Sequence, residues 1–166
     1  MKKTAYLITS VILLIFINSC AGYKPIYTTE LNFEITDYSL KNDKKLGKKI
    51  YSKLYNLSKR SKNSKDDPQT AKIIMIIDTT KNKTSMSKDT TGKVLEYKIE
   101  ITSNIQIKDY FSVDEMVNQT FSYSSLYQVQ TQYSETINLE NKNIENIIDK
   151  IFQNILIKMS DSLISK

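Results

Sequence analysis

Hydrophobic positions along this chain change period several times, and each change marks an element. Ala5–Ile17 is a nearly unbroken apolar run. Leu31, Phe33 and Ile35 alternate with Asn32, Glu34 and Thr36, the period of a strand with one dry face. Leu46, Ile50, Leu54 and Leu57 recur at steps of three and four, which predicts a helix capped by Asn42. Gly47 lies inside that helix, at a cost of up to about 1 kcal/mol relative to Ala. Ser58–Asp67 is polar and ends at Pro68, so it reads as an exposed loop.

The second half carries the stronger signals. Ile73–Ile77 is apolar throughout, as in a strand that is central or covered on both faces. Asp78–Lys88 reads as a polar connection into a turn at Asp89-Thr90-Thr91-Gly92. Leu95, Tyr97, Ile99, Ile101, Ile105 and Ile107 then alternate with Glu96, Lys98, Glu100, Thr102, Asn104, Gln106 and Lys108. A strand from Leu95 to Lys108 exceeds the usual five or six residues, so its hairpin is expected to project beyond the core. A turn near Asp109–Asp114 leads to a strand over Met116–Tyr123. Ile144, Ile147, Ile148, Ile151, Ile155, Met159 and Leu163 form one continuous helical stripe. The predicted fold class is α+β: a two-layer sandwich, with a mixed four-stranded sheet and two helices on one face, in the order β-α-β-β-β-α. Residues 31–166 are expected to form a single domain.

The N-terminal run is a targeting segment. Lys2 and Lys3 precede it, and its length falls short of the roughly 20 residues of a spanning helix. It ends in Ile17-Asn18-Ser19-Cys20, the order of a lipobox, in which the cysteine is acylated and becomes the new N-terminus. Residues 1–19 are thus expected to be a lipoprotein signal peptide and 20–30 a lipidated lead. One acyl chain holds a protein only marginally, whereas the two or three chains of a lipoprotein cysteine make attachment permanent. Residue 21 is Ala rather than Asp, which favours the outer membrane over retention at the inner one. A mean hydropathy of -0.39 fits a water-soluble domain on that tether.

Composition narrows the chemistry. The net charge of +6 falls to +4 once Lys2 and Lys3 leave, a mildly basic balance suited to anionic headgroups or phosphates. An envelope location makes nucleic acid an unexpected partner. With no His and a single Cys, the chain lacks the usual zinc ligands, any internal disulfide, and a His- or Cys-based catalytic dyad. No metal and no cofactor are expected. Asp78, Asp89, Glu96 and Glu100 are the carboxylates that a hydrolytic enzyme would draw on, but they fall on turns or on the wet strand face, so no catalytic residues are assigned.

Several short motifs, in order, resemble a known family. Cys20 is followed by Gly22-Tyr23-Lys24-Pro25-Ile26-Tyr27, a Gly-aromatic-basic-Pro-aliphatic-Tyr run. Gly92-Lys93-Val94-Leu95-Glu96-Tyr97 opens the long alternating strand. Phe121-Ser122-Tyr123, a Tyr-rich link to Tyr133 and a long terminal helix complete the set. Together they resemble the lipopolysaccharide (LPS)-assembly lipoproteins of the LptE family, in their alphaproteobacterial form. Ala21 departs from the family by standing between Cys20 and Gly22, where Gly usually follows Cys directly.

The resemblance implies an outer-membrane lipoprotein attached at Cys20. It would plug the LPS-transport β-barrel LptD, help it assemble, and contact LPS without catalysing a reaction. By the same resemblance, Lys83, Lys88 and Lys93 around the hairpin turn are the candidate LPS-binding residues. Tyr123, Tyr127 and Tyr133 are candidates for contact with the barrel wall. Solvated turn lysines and a core tyrosine are the plainer alternatives. A lipid-anchored structural or binding lipoprotein serving another envelope partner is the competing function.

Overall fold

Alternation on the two central strands places the core. The computed structural model describes residues 31–61 and 70–164. Ile73, Met75, Ile77 and Thr79 on strand β2 (Ala71–Lys88) share one sheet face with Ile99, Ile101, Ser103, Ile105 and Ile107 on β3 (Val94–Asp109). All are at most 1% exposed. The Thr79 and Ser103 hydroxyls hydrogen-bond each other at 2.9 Å, so the two polar groups inside this apolar layer satisfy one another. The sheet order is β1-β2-β3-β4, with β1 (Phe33–Asn42) parallel to β2 and the remaining pairs antiparallel. Helix α1 (Lys44–Ser61) makes the crossover and lies over β1 and β2, while α2 (Tyr133–Ile164) follows β4 (Glu115–Gln128) and lies over β3 and β4. This is the expected α+β arrangement, with a four-stranded mixed sheet and two helices.

The helix stripes deliver what their spacing predicts. Leu46, Ile50 and Leu54 of α1 are buried, as are Ile144, Ile147, Ile148, Ile151, Ile155 and Met159 of α2. The side chain of Leu163, the signal peptide, Cys20, the Gly22–Tyr27 motif and positions 62–69 lie outside the described residues.

Element ends differ from the sequence reading, each for a local reason. β1 runs on to Asn42, because a bulge between Ile35 and Asp37 resets its phase. Phe33 and Ile35 face the helices before the bulge; Tyr38 and Leu40, opposite Met75 and Ile77, face them after it. Asn42 adopts φ 55° and spends its side chain on Asp78, so it does not cap α1. The cap is Asp43, whose carboxylate accepts the Leu46 amide at 3.1 Å. Ser58 is not in a loop: it is buried within α1, and its hydroxyl donates to the Tyr55 carbonyl at 2.9 Å. Asp78–Lys88 is strand rather than connection, held by pairing with β3 although Thr80–Lys88 are exposed. β4 outlasts Tyr123 by five residues, to Gln128, and α2 starts at Tyr133, eleven residues ahead of Ile144.

The hairpin therefore projects, as its length suggests. At about 3.3 Å per residue, β3 spans roughly 50 Å, matched by a similar length for α2 at 1.5 Å per residue. Both helices pack on one face, and among the described residues no element covers the other. No described helix is long and apolar enough to cross a membrane.

Gly47 has a packing role. A Cβ there would meet Leu40 Cδ2 at 3.4 Å and Ile77 Cγ2 at 3.5 Å, ordinary contact with no room beyond it. Gly47→Ala is accordingly expected to raise stability by about 0.5 kcal/mol through helix propensity. Gly47→Leu is expected to lower it by about 2 kcal/mol by levering α1 off the sheet. Equilibrium urea unfolding of the two variants checks both.

Candidate functional site

The outer half of the hairpin, beyond the reach of α1, is where charged and aromatic side chains gather. On its helix-facing side β2 presents Lys81 and Lys83, opposite Ile101 and Ile99 of β3. The first three turns of α2 pack here. Glu140 of α2, with its side chain only 13% exposed, accepts the Lys83 ammonium at 2.7 Å and the Tyr127 hydroxyl at 2.9 Å on one oxygen. Lys81 lies 3.8 Å from its other oxygen. The Lys83 ammonium also sits 4.3 Å from the Tyr97 ring centre and 5.6 Å from that of Tyr127, and the two rings stack at 5.8 Å. Nearby, Ser125 of β4 donates to Asn143 of α2.

The electrostatics follow from this crowding. Burial opposes the charge on Lys83, but the Glu140 carboxylate and Tyr127 hydroxyl outweigh it and hold the ammonium above its ordinary 10.5. Burial likewise opposes ionisation of Glu140, and Lys83 and Tyr127 overcome it, keeping the carboxyl below 4.5. The Tyr127 hydroxyl is pushed above 10.0, first by burial and then by the neighbouring Glu140 charge.

The tip is a separate, self-contained unit. Asp89 accepts three hydrogen bonds on one oxygen, from the Thr91 amide (2.8 Å), the Thr91 hydroxyl (2.7 Å) and the Lys93 amide (2.9 Å). The Thr91 hydroxyl and then the Lys93 amide lower its pKa. Gly92, at φ 85°, closes the bend where a side chain would be strained. Asp89 thus serves the turn. Lys88 and Lys93 flank it as exposed residues, and neither closes a salt bridge among the described residues.

The structure consequently separates the three lysines that the sequence groups. Lys88 and Lys93 flank the turn, and Lys83 is committed to Glu140. The tyrosines separate too. Tyr127 is 4% exposed with its hydroxyl engaged, Tyr123 packs half-buried against the core, and Tyr133 stands 79% exposed at the start of α2. Asp78 and Glu100 serve the open sheet face, Asp78 accepting from Asn42 and Glu100 lying 3.4 Å from both Lys98 and Ser122. Across that face, Thr102 meets Ser122 and Asn104 donates to Thr120, each at 2.9 Å, and Gln106 reaches Asn104. Sequence reasoning misses Glu140. It lies four residues before Ile144, on the backward continuation of the apolar stripe, and a carboxylate at such a position signals a buried partner.

No protein-family model and no curated protein matches the chain. Its fold is similar to that of solved structures. One is a protein from Caulobacter crescentus assigned as a lipoprotein (TM-score 0.54, 10% identity, covering 84% of this chain and 95% of that one). Another is an uncharacterised lipoprotein B from Nitrosomonas europaea (TM-score 0.52, 15% identity, 76% and 83%). A third is the rare lipoprotein B of Shewanella oneidensis (TM-score 0.51, 15% identity, 78% and 97%).

Lys83→Met, which strands Glu140, is expected to cost about 1.5 kcal/mol in denaturant unfolding. Lys88→Met is expected to stay within about 0.5 kcal/mol of the parent. Because Glu140 titrates below its ordinary value and Lys83 above, the pair stabilises fully between about pH 4.5 and 10.5. That contribution fades as acid protonates Glu140, so the gap between parent and Glu140→Gln should narrow below pH 4.5. Unfolding at stepped pH measures it.

Proposed function

We propose that this chain is an outer-membrane lipoprotein, fixed at Cys20, that plugs the LPS-transport β-barrel LptD and helps it assemble. The observation that carries the reading is a conjunction. A lipobox cysteine at the end of a short apolar leader stands ahead of a sheet-and-two-helix domain whose fold recurs in the three lipoproteins above.

The surface supports the role of a plug. A barrel lumen is polar, and the open sheet face offers Thr102, Asn104, Gln106, Thr120 and Ser122. These short hydrogen-bonding side chains can exchange partners with a polar wall at little desolvation cost. A length of roughly 50 Å exceeds the ~30 Å hydrocarbon thickness of a bilayer, enough to run the depth of a barrel lumen. In that placement Lys88 and Lys93 lead at one mouth, as point-charge donors to LPS phosphates. Tyr133, exposed near the same end, is available to the wall. Lys83 supports the site indirectly, by holding the hairpin to α2.

Affinity capture of the acylated protein from native outer membrane is expected to recover a large LPS-transport barrel. Recovery of other envelope assembly proteins without that barrel would favour the competing reading. Replacing Lys88 and Lys93 together with Glu is expected to weaken LPS binding at least about thirtyfold, at roughly 1 kcal/mol per lysine near an anionic surface. Unchanged affinity, measured by calorimetric titration, would take the tip lysines out of the site.

A further inference from the structure

The turn between β3 and β4 is apolar where folding does not require it. Asp109 locks the bend by accepting the Phe111 amide at 2.9 Å and the Ser112 amide at 3.0 Å, and its own amide donates to the Asp114 carbonyl at 2.9 Å. Within that closed bend Tyr110 is 43%, Phe111 75% and Val113 57% exposed. Val113 adopts φ 62°, where a β-branched residue is least at home and Asn or Gly would hold the same bend without strain. Tyr110 and Phe111 meet edge to face at 5.4 Å, and the Lys72 ammonium lies 5.7 Å from the Phe111 ring centre. An aromatic pair beside a lysine is the composition of a membrane-interface anchor.

The topology says what covers it. The Tyr110 amide donates to the Lys72 carbonyl, the Ala71 amide donates to the Asn32 carbonyl, and Ala71 pairs with Phe33. The turn is therefore at the sheet end where the chain arriving from Cys20 enters β1, two strand spacings away. Cys20 precedes Phe33 by 13 residues, a reach of at most ~45 Å. The hairpin tip and Tyr133 lie at the opposite end, because β4 runs from Glu115, opposite Lys108, to Gln128, opposite Glu96.

We propose that Tyr110, Phe111 and Val113 form a second membrane contact, seated in the headgroup zone of the bilayer that holds the Cys20 lipid. The proposal rests on the Cys20 anchor and is independent of the barrel. A single point of attachment leaves a domain free to tumble. A rigid apolar turn beside it adds a second point, which fixes how the long axis sits relative to the bilayer and keeps the tip lysines at the opposite end. Asp109, Asp114 and Glu115 outnumber Lys72 and Lys108 around the turn, so charge does not draw it to an anionic surface and the apolar side chains supply the attraction. Binding at the turn should hence depend little on salt.

The chain has no tryptophan, so Phe111→Trp introduces a sole reporter. The acylated variant is placed in vesicles of phosphatidylethanolamine and phosphatidylglycerol. Its emission is expected to move to shorter wavelength and to be quenched by brominated acyl chains. Tyr133→Trp, at the far end, should show neither effect. In an unlipidated chain begun at Ala21, which lacks both the thiol and the apolar leader, replacing Tyr110, Phe111 and Val113 with Ser should lower partitioning into the same vesicles about tenfold. The mass of the native protein reports the anchor separately. An acylated Cys20 with unshifted, unquenched emission from the Phe111→Trp variant overturns the turn contact alone, whereas a bare Cys20 overturns the anchor and this inference with it. A shift that appears without vesicles and grows with protein concentration would mean contact between copies, and also overturns it.

Discussion

Glu140 sits where α2 crosses the outer half of the β2–β3 hairpin, and its carboxylate serves Lys83, Tyr127 and, at longer range, Lys81. The outer rungs of β2, beyond the cover of α1, depend most on that crossing. There β2 is the edge strand of a three-stranded sheet, β3 pairing with β4 as far as Glu96 and Gln128, and from Thr80 to Lys88 it has no buried side chain to hold it. Apolar burial reaches into this half through Ile99 and Ile101 and is densest in the other, where the Ile stripe of α2 meets the dry face of β3 and β4. The helix thus carries two kinds of interface along one side, dry near its C-terminus and polar near its start. A partly buried ion pair adds modest stability, because desolvation consumes much of its attraction. Its value here lies in fixing which turn of α2 meets which rung of the hairpin.

The same division explains what could be read from the residues alone. Strict alternation over Leu95–Lys108 and the stripe of Ile144 to Met159 announced β3 and the inner half of α2, since burial on one face leaves a period in the sequence. Asp78–Lys88 leaves none, because beyond Thr79 it is a strand held by main-chain pairing, with Lys81 and Lys83 where the helix-facing side would otherwise carry apolar residues. Tyr133–Asn143 hid for the complementary reason: it is covered, but largely by Tyr, Lys and Ser, so its inward positions Thr136, Glu140 and Asn143 are polar and only Leu139 beside them joins the core. β1 stopped reading as a strand at Thr36 because the bulge there shifted its alternation by one.

The site was legible to a similar depth. Asp89-Thr90-Thr91-Gly92 announced a tip through its turn chemistry, and Lys88 and Lys93 stand on it as the sequence suggested. Lys83 could not be told apart from them, because the carboxylate that claims it is 57 residues away. Tyr127 was indistinguishable from Tyr133 by composition, although one supports the interior and the other meets solvent. The result is a rod with unlike ends, separated by roughly 50 Å of β3. One end receives the chain from Cys20 and displays Tyr110 and Phe111. The other displays two solvent-facing ammonium groups on a braced hairpin.

That brace is tested most directly by native-state hydrogen exchange on Glu140→Gln, which keeps the shape of the side chain and removes its charge. Protection is expected to fall at the amides of Lys81–Ser87, Leu95–Glu100 and the first three turns of α2, while Ile73–Ile77 and Ile147–Ile155 keep theirs. Equal loss along the whole chain, or no loss in the hairpin, would contradict the view that this one carboxylate holds the outer half in place.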